Sequence, residues 1–576
     1  MSGRDRTRTG GNVCDFGSGG QTGPMPVLRK PARRQLLIAL TATLSVLVLV
    51  AIAGLIRWAG DRSGSAAQAR EPEAATTAAA STAGSCHGVP TTAPRELRAM
   101  WITSVNNIDW PSKKGLPEAQ VKAEYLGWLD LAQKLHHNAV FVHVRPSGDA
   151  FWPSEYAPWS DWLTGKRDGV GPGWDPMAWM IAETHARNLE FHAWFNPYRG
   201  SQPAAAKGAG ADVNQLAPNH PLRAHPEWRV TYPSTNGRFF FNPGIPEART
   251  FVEDSMLEAV QKYDVDGVHF DDFFYPYPEG DEDFPDDAAF AAHNRGIKDK
   301  GDWRRDNVNL LVKEMSERIK QIKPWVKFGI SPFGIWRNAG TDPEGSDSRG
   351  LQAYDEIYAD TRTWVREKWL DYIVPQLYWN IGFDKADYAK MLPWWTATVA
   401  GTGVQLWIGQ ADYRVGEDGP WKEPDQLSKQ LALNRTHPEV TGSVHFSAKQ
   451  VKADRLGAVT RYAKDYYATP ALPAAMSQLP STPPAAPVVT AAVRDPETGT
   501  VTVTGRAGSG AAPTAFALYR VDGDKAVLVA TDRATGAAGQ QWVDAAAPAG
   551  PTATYCVTGL DRSWNEGLPS APITAG

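Results

Sequence analysis

Eight short apolar runs recur between positions 98 and 447, and stretches with helical periodicity separate most of them. Few folds accept that pattern. Strands that alternate with helices form parallel sheets, because a parallel pair needs a long crossover and the crossover is usually a helix. Eight such units over roughly 370 residues fit a (β/α)8 barrel with long loops. The runs are 98–104 (RAMWITS), 139–145 (AVFVHVR), 190–196 (EFHAWFN), 267–272 (GVHFDD), 327–332 (KFGISP), 372–378 (YIVPQLY), 404–410 (VQLWIGQ) and 442–447 (GSVHFS). Helical stretches between them include 118–135, 176–188, 246–263, 303–322 and 354–367. Segments 200–242 and 276–301 are rich in Pro, Gly and charge, and they follow the third and fourth runs. Long loops of this kind belong on the catalytic face of a barrel.

The flanks read differently. Positions 36–56 carry no charged residue, and Arg29, Lys30, Arg33 and Arg34 precede them. That length spans a bilayer, and the basic flank keeps the N-terminus in the cytoplasm. A cleaved signal peptide has a shorter apolar core, so an uncleaved signal anchor is expected and the rest of the chain lies outside. Gly84-Ser85-Cys86 is too far from the apolar run to be a lipidation site. The domain plan is a cytoplasmic disordered tail at 1–35, an anchor at 36–56 and a flexible stalk at 57–94. The barrel follows at 95–467, then a Pro/Ala/Ser-rich linker at 468–486 and an all-β sandwich at 487–576. Either Met1 or Met25 can be the start. The three cysteines, Cys14, Cys86 and Cys556, are far apart in sequence. They suggest no disulfide framework and no CxxC metal site, so the core alone is expected to stabilise the exported part. A formal net charge of −5 leaves no electrostatic footprint for nucleic acid.

The ends of the runs carry the chemistry, because a barrel places its site at the C-terminal ends of its strands. The fourth run ends in Asp271-Asp272. Alternation puts His269 and Asp271 on one face and Val268, Phe270 and Asp272 on the other. Both carboxylates reach one lumen only if the strand has ended between them. Asp271 is expected to face substrate, with Asp272 as the fallback. The other runs end in His143 and Arg145, in Trp194, Asn196, Tyr198 and Arg199, in Trp336 and Arg337, in Gln376, Tyr378 and Trp379, and in Asp412 and Tyr413; Tyr275 follows the acidic pair. Arg, Asn, Gln and Tyr bond hydroxyl groups, and Trp and Tyr offer flat faces for sugar rings, so the set describes a carbohydrate cleft. Histidine appears on four runs as His143, His192, His269 and His445. Each can be a ligand in a metal-dependent amidohydrolase or deacetylase, or a histidine that supports the catalytic layer from below. No metal or cofactor is expected.

Seven blocks resemble bacterial glycoside-hydrolase-like family 10, in the right order: 98–107, 144–154 (VRPSGDAFWPS), 192–199 (HAWFNPYR), 265–276 (VDGVHFDDFFYP), 328–338 (FGISPFGIWRN), 358–365 (YADTRTWV) and 372–379 (YIVPQLYW). The resemblance implies a (β/α)8 barrel, an extracytoplasmic location and cleavage of peptide-free peptidoglycan strands. GVHFD also resembles the strand-four pattern of barrel glycosidases whose nucleophile is an Asp, which implies that role for Asp271. Residues 554–570 (TYCVTGLDRSWNEGLPS) resemble the last strands of a fibronectin type III domain.

Glycoside hydrolysis uses two carboxyl groups or a substitute for one. Asp271 is the expected nucleophile or base, and Asp272 can instead orient a 2-acetamido group of the substrate. For the acid, Asp412 ranks ahead of Asp355, Glu356 and Asp384. Glu183 sits within a helical stretch and is expected to be structural. The competing reading is a non-catalytic barrel that binds wall glycan and has lost its acid.

Overall fold

A computed structural model describes residues 85–202, 211–235, 237–550 and 552–575. The expected tail and membrane segment, and most of the stalk, lie outside these residues. Among the described residues no helix is long and apolar enough to cross a membrane.

Each of the eight runs contains a strand, and the strands close into one parallel barrel. In order they are Leu97–Ile102, Ala139–Arg145, Glu190–Phe195, Gly267–Phe270, Lys327–Ile330, Tyr372–Ile373, Gln405–Gln410 and Val440–His445. Period-two alternation sorts the side chains. Ala99, Trp101, Phe141, Trp194, Tyr372, Trp407 and Val444 fill the lumen, while Val142, Val268, Phe270, Phe328 and Ile330 pack outward under the helices. Two lumen positions are glycine because neighbouring rings occupy the space. A Cβ on Gly267 would lie 2.3 Å from the His192 ring, and one on Gly329 would lie 2.2 Å from the Tyr372 ring.

Helices Glu118–Lys134, Pro176–Ala186, Pro246–Lys262 and Lys300–Ile322 match the expected stretches. The expected helix at 354–367 is instead two short ones, Ala353–Glu356 and Thr361–Arg366. Tyr358 takes a positive φ of 57° between them, and Asp360 caps the second by accepting from the Thr363 amide. The loop after strand three contains a hairpin, Arg229–Tyr232 with Arg238–Phe241, that sequence periodicity did not reveal.

The C-terminal region is a two-sheet antiparallel sandwich. Strands Val488–Arg494, Val501–Arg506 and Gln540–Asp544 form one sheet. Lys525–Arg533, Ala515–Asp522, Ala553–Leu560 and Ile573–Ala575 form the other.

Three expectations fail on the underside of the barrel. Residues 85–94, read as the end of a flexible stalk, are ordered: Val89–Thr92 adds a parallel strand to Lys525–Arg533. The Pro/Ala/Ser-rich segment 468–486 is no free linker. Its Met476 and Leu479 are buried in the lumen cluster, and Ala474 O accepts from Gln405 Nε2 at 3.0 Å. Cys86 and Cys556, both fully buried, form a disulfide across 470 positions. Sequence distance hid the pairing, because the added strand returns residue 86 to the sandwich. Trp564 from a sandwich turn also donates its indole N–H to Glu190 at the start of strand three. The sandwich is therefore joined to the barrel by a covalent bond, a strand and a buried hydrogen bond.

Candidate active site

Strand four ends at Phe270, so neither Asp271 nor Asp272 belongs to the ladder. Alternation no longer separates them, and both carboxylates are buried in one site at the mouth. The Phe273 amide donates to Asp271 Oδ1 at 3.2 Å, and the Tyr277 hydroxyl donates to Asp272 Oδ2. Arg199 lies 4.0 Å over the Phe273 ring, and its charge reaches both acids. Burial and the adjacent Asp272 charge push Asp271 up to about 7, against the pull of Arg199. Burial raises Asp272 too, and the Tyr277 hydroxyl opposes the rise.

Aromatic groups surround the pair. Phe273 packs edge-on to Tyr277, and Tyr277 edge-on to Phe333. Phe333 meets Trp379, and Tyr378 meets Tyr413 and Phe446. Phe273, Tyr277, Phe333, Gln376, Tyr378, Trp379 and Tyr413 are half-buried, so they form a cleft wall open to solvent. Gln376 is anchored by donating to Ser331 O at 2.9 Å.

Below the pair, polar side chains form a column down the lumen. His269 Nε2 is 3.3 Å from Trp101 Nε1 and 3.0 Å from Ser331 Oγ, and its Nδ1 is 3.4 Å from the Tyr372 hydroxyl. Tyr372 reaches His192 Nδ1 at 3.0 Å, and His192 Nε2 reaches Glu190 Oε2 at 2.9 Å. Glu190 Oε1 meets Lys327 Nζ at 2.6 Å. Burial holds His269 and His143 well below the usual imidazole range, so both are neutral near pH 7. Among the described residues, no three His, Cys, Asp or Glu side chains are placed to hold a metal ion.

The model of the glycosyl hydrolase-like 10 family matches residues 96–426. Glycosyl hydrolase YngK of Bacillus subtilis is 45% identical over 83% of this chain and 93% of its own length. The chain belongs to the glycosyl hydrolase-like 10 family. Glycosyl hydrolase DigH of Escherichia coli is 40% identical over 61% of this chain and 82% of its own. Among solved structures, α-L-fucosidase isoenzyme 2 from Paenibacillus thiaminolyticus matches 66% of this chain and 50% of its own at 14% identity, with a TM-score of 0.40. This family member is a glycosidase.

The structure brings together Asp271, Asp272, Trp194, Arg199, Gln376, Tyr378, Trp379 and Tyr413 around the mouth of this glycosyl hydrolase-like barrel. The other expected residues lie elsewhere. Asp412 turns outward, where its Oδ2 bonds His445 Nδ1 at 2.8 Å, so the leading candidate for the acid is engaged outside the lumen. His445 is also outside, stacked on Tyr462. Tyr198 is fully buried beneath the helices beside Arg249 and Glu253. Tyr275 packs against Phe284 and Tyr358 and accepts from Asn307 Nδ2. Trp336 packs on Tyr354 and Trp394, and Arg337 forks onto Asp355 and Asp342. His143 and His269 lie beneath the cleft surface; His143 stacks on Trp194 at 3.8 Å and bonds Asn196 Oδ1 at 2.7 Å. Arg145 and Asn196 are buried as well, and Arg145 is spent on the carbonyls of Asn196 and Pro197. They shape the floor and do not touch solvent. Tyr277, Phe333 and Ser331 also line the site, although they are outside the expected set. Their signal was position alone, a polar or aromatic residue within a few places of a strand end.

Proposed function

We propose that this glycosidase cleaves glycosidic bonds in a cell-wall polysaccharide, and that its substrate is peptide-free peptidoglycan strands. One observation carries the reading: the paired carboxylates Asp271 and Asp272 sit in an open cleft walled by Tyr277, Phe333, Tyr378, Trp379 and Tyr413. Aromatic side chains that are half exposed at the mouth suit contact with a chain of sugar rings. The resemblance of the seven sequence blocks supplies the choice of polymer. We further propose that the protein works outside the cytoplasm, held by the apolar segment 36–56. The buried Cys86–Cys556 bridge supports this, since disulfides persist in oxidising compartments. The sandwich at 487–576 is assigned the fibronectin type III type, serving as a fixed support on the barrel's underside.

The test uses the full chain in detergent micelles on intact sacculi and on amidase-treated, peptide-free strands, with products read by mass spectrometry. Shortened glycans from the peptide-free strands, absent with Asp271→Asn, are the expected result. Strands that bind but stay intact would return the wall-binding reading, and chelator-sensitive loss of acetyl groups would return the amidohydrolase.

A further inference from the structure

We propose that the attacking nucleophile is the substrate's own 2-acetamido oxygen, positioned by Asp272 and Tyr277, with Asp271 as proton donor. The inference rests on the glycosidase reading above and narrows the sugar on the non-leaving side of the cleaved bond to a 2-acetamido-2-deoxy glycoside.

Two-carboxylate glycosidases place their acids about 5 Å or more apart, across the glycosidic bond. Asp271 and Asp272 are consecutive residues at one strand end, so they approach the sugar from one side. The carboxylates at the other strand ends are engaged with their own partners. Asp109 is held by the Thr103 amide at 2.7 Å, Ser447 Oγ at 2.7 Å and the Lys449 amide at 2.8 Å. Asp149, raised to about 6 by burial, accepts from the Ser147 amide at 2.7 Å and lies beside Arg145. Asp412 is taken by His445, and Asp342 and Asp355 by Arg337. A nucleophile supplied by the substrate fits this arrangement. Asp272 accepts the Tyr277 hydroxyl, an arrangement suited to an ionised carboxylate that can also accept an amide N–H. Asp271 faces the lumen in a buried setting that favours its neutral form.

The step balances. The amide carbonyl oxygen bonds to C1 as the C1–O bond to the leaving sugar breaks. Asp271 passes its proton to the glycosidic oxygen of the leaving sugar, and Asp272 stabilises the positive charge that develops on the amide nitrogen. Water then adds to C1, returns a proton to Asp271 and reopens the five-membered ring. C1 inverts twice and ends with its configuration retained.

The experiment follows hydrolysis of peptide-free strands carrying acetyl, fluoroacetyl or trifluoroacetyl groups, with the first-formed anomer read by NMR. We expect retention, rates that fall with each added fluorine, and inhibition by the thiazoline analogue of N-acetylglucosamine. Asp272→Asn should lower kcat by about 10²–10³-fold. Tyr277→Phe, which keeps the ring, should lower kcat with little change in KM and steepen the fluorine dependence. Asp271→Asn should recover on a substrate with an activated aryl leaving group, whereas Asp272→Asn should not. Inversion, rates indifferent to fluorine, or a sugar trapped covalently on a carboxylate would overturn the inference while the glycosidase reading stands. Uncut acetylated strands would overturn both.

Discussion

Glu190 and Lys327 provide the most direct test of the barrel's lower layer. Both are almost fully buried, and Lys327 Nζ lies 2.6 Å from Glu190 Oε1. Burial alone would raise the Glu190 carboxyl, but the Lys327 ammonium and His192 outweigh it and hold it below its usual value. Glu190→Gln keeps the shape and removes the carboxylate in contact with Lys327, leaving the more distant Asp266 charge. Removing one partner of a buried pair costs about 3–5 kcal/mol. Lys327→Met should cost a similar amount, because Glu190 would lose its contacting cation and keep hydrogen bonds to His192 and the Trp564 indole. The double variant removes both charges, and replacing a whole pair is often nearly neutral, so its cost should stay below about 2 kcal/mol. The singles therefore sum to far more than the double. Urea unfolding at pH 7, followed by tryptophan fluorescence, gives all three values. The sign with pH is also set. A carboxyl depressed in the folded state contributes stability above its unfolded value and loses it as pH falls through the folded value. Wild type should thus lose this increment in acid, and the double variant should not. Single variants shifted by less than about 1 kcal/mol, or additive costs, would refute the reasoning.

Asp271→Asn should abolish hydrolysis yet stabilise the fold. Because Asp271 is raised to about 7, wild type loses stability as pH climbs from the unfolded carboxyl value toward 7, and the variant should be about 1–3 kcal/mol more stable at pH 8 by thermal unfolding. A protonated Asp271 also predicts that wild-type kcat declines above about pH 7, read from a pH–rate profile. Cys86→Ser should lower stability by about 2–4 kcal/mol, measured against the oxidised parent. Trp379→Ala should raise KM for glycan, whereas Trp336→Phe should leave kinetics within about twofold because its ring packs on Tyr354 and Trp394.

The barrel was legible because apolar runs and alternation are local properties of a chain. All eight strands lie within or overlap the expected segments, and His269 points into the lumen beside Trp101 as period two requires. The site was legible only in part. Past the end of a strand, side-chain direction follows the path of the loop. Tyr198 and Tyr275 looked equivalent to Tyr378 in sequence, yet they turn under the helices while Tyr378 borders the cleft. Asp412 looked free because its partner, His445, belongs to the next strand. The underside was least legible. Segment 468–486 has the composition of a tether, and only two apolar side chains, Met476 and Leu479, tie it into the lumen. The Cys86–Cys556 contact depends on a strand added across the whole fold, which no local pattern encodes.

That bridge also changes how the molecule comes apart. With Cys86 joined to Cys556, the backbone between them is a closed ring. A protease that cuts once within the ring, for example in the long loops over the mouth, opens it without freeing a fragment. The nicked chain would keep its mass on a non-reducing gel and fall into two pieces only after a thiol is added. Two cuts, or one cut and a reductant, are needed before any part of the barrel can diffuse away. The surface loops can thus vary in length and suffer damage while the halves of the barrel remain at high effective concentration, free to close again on each other.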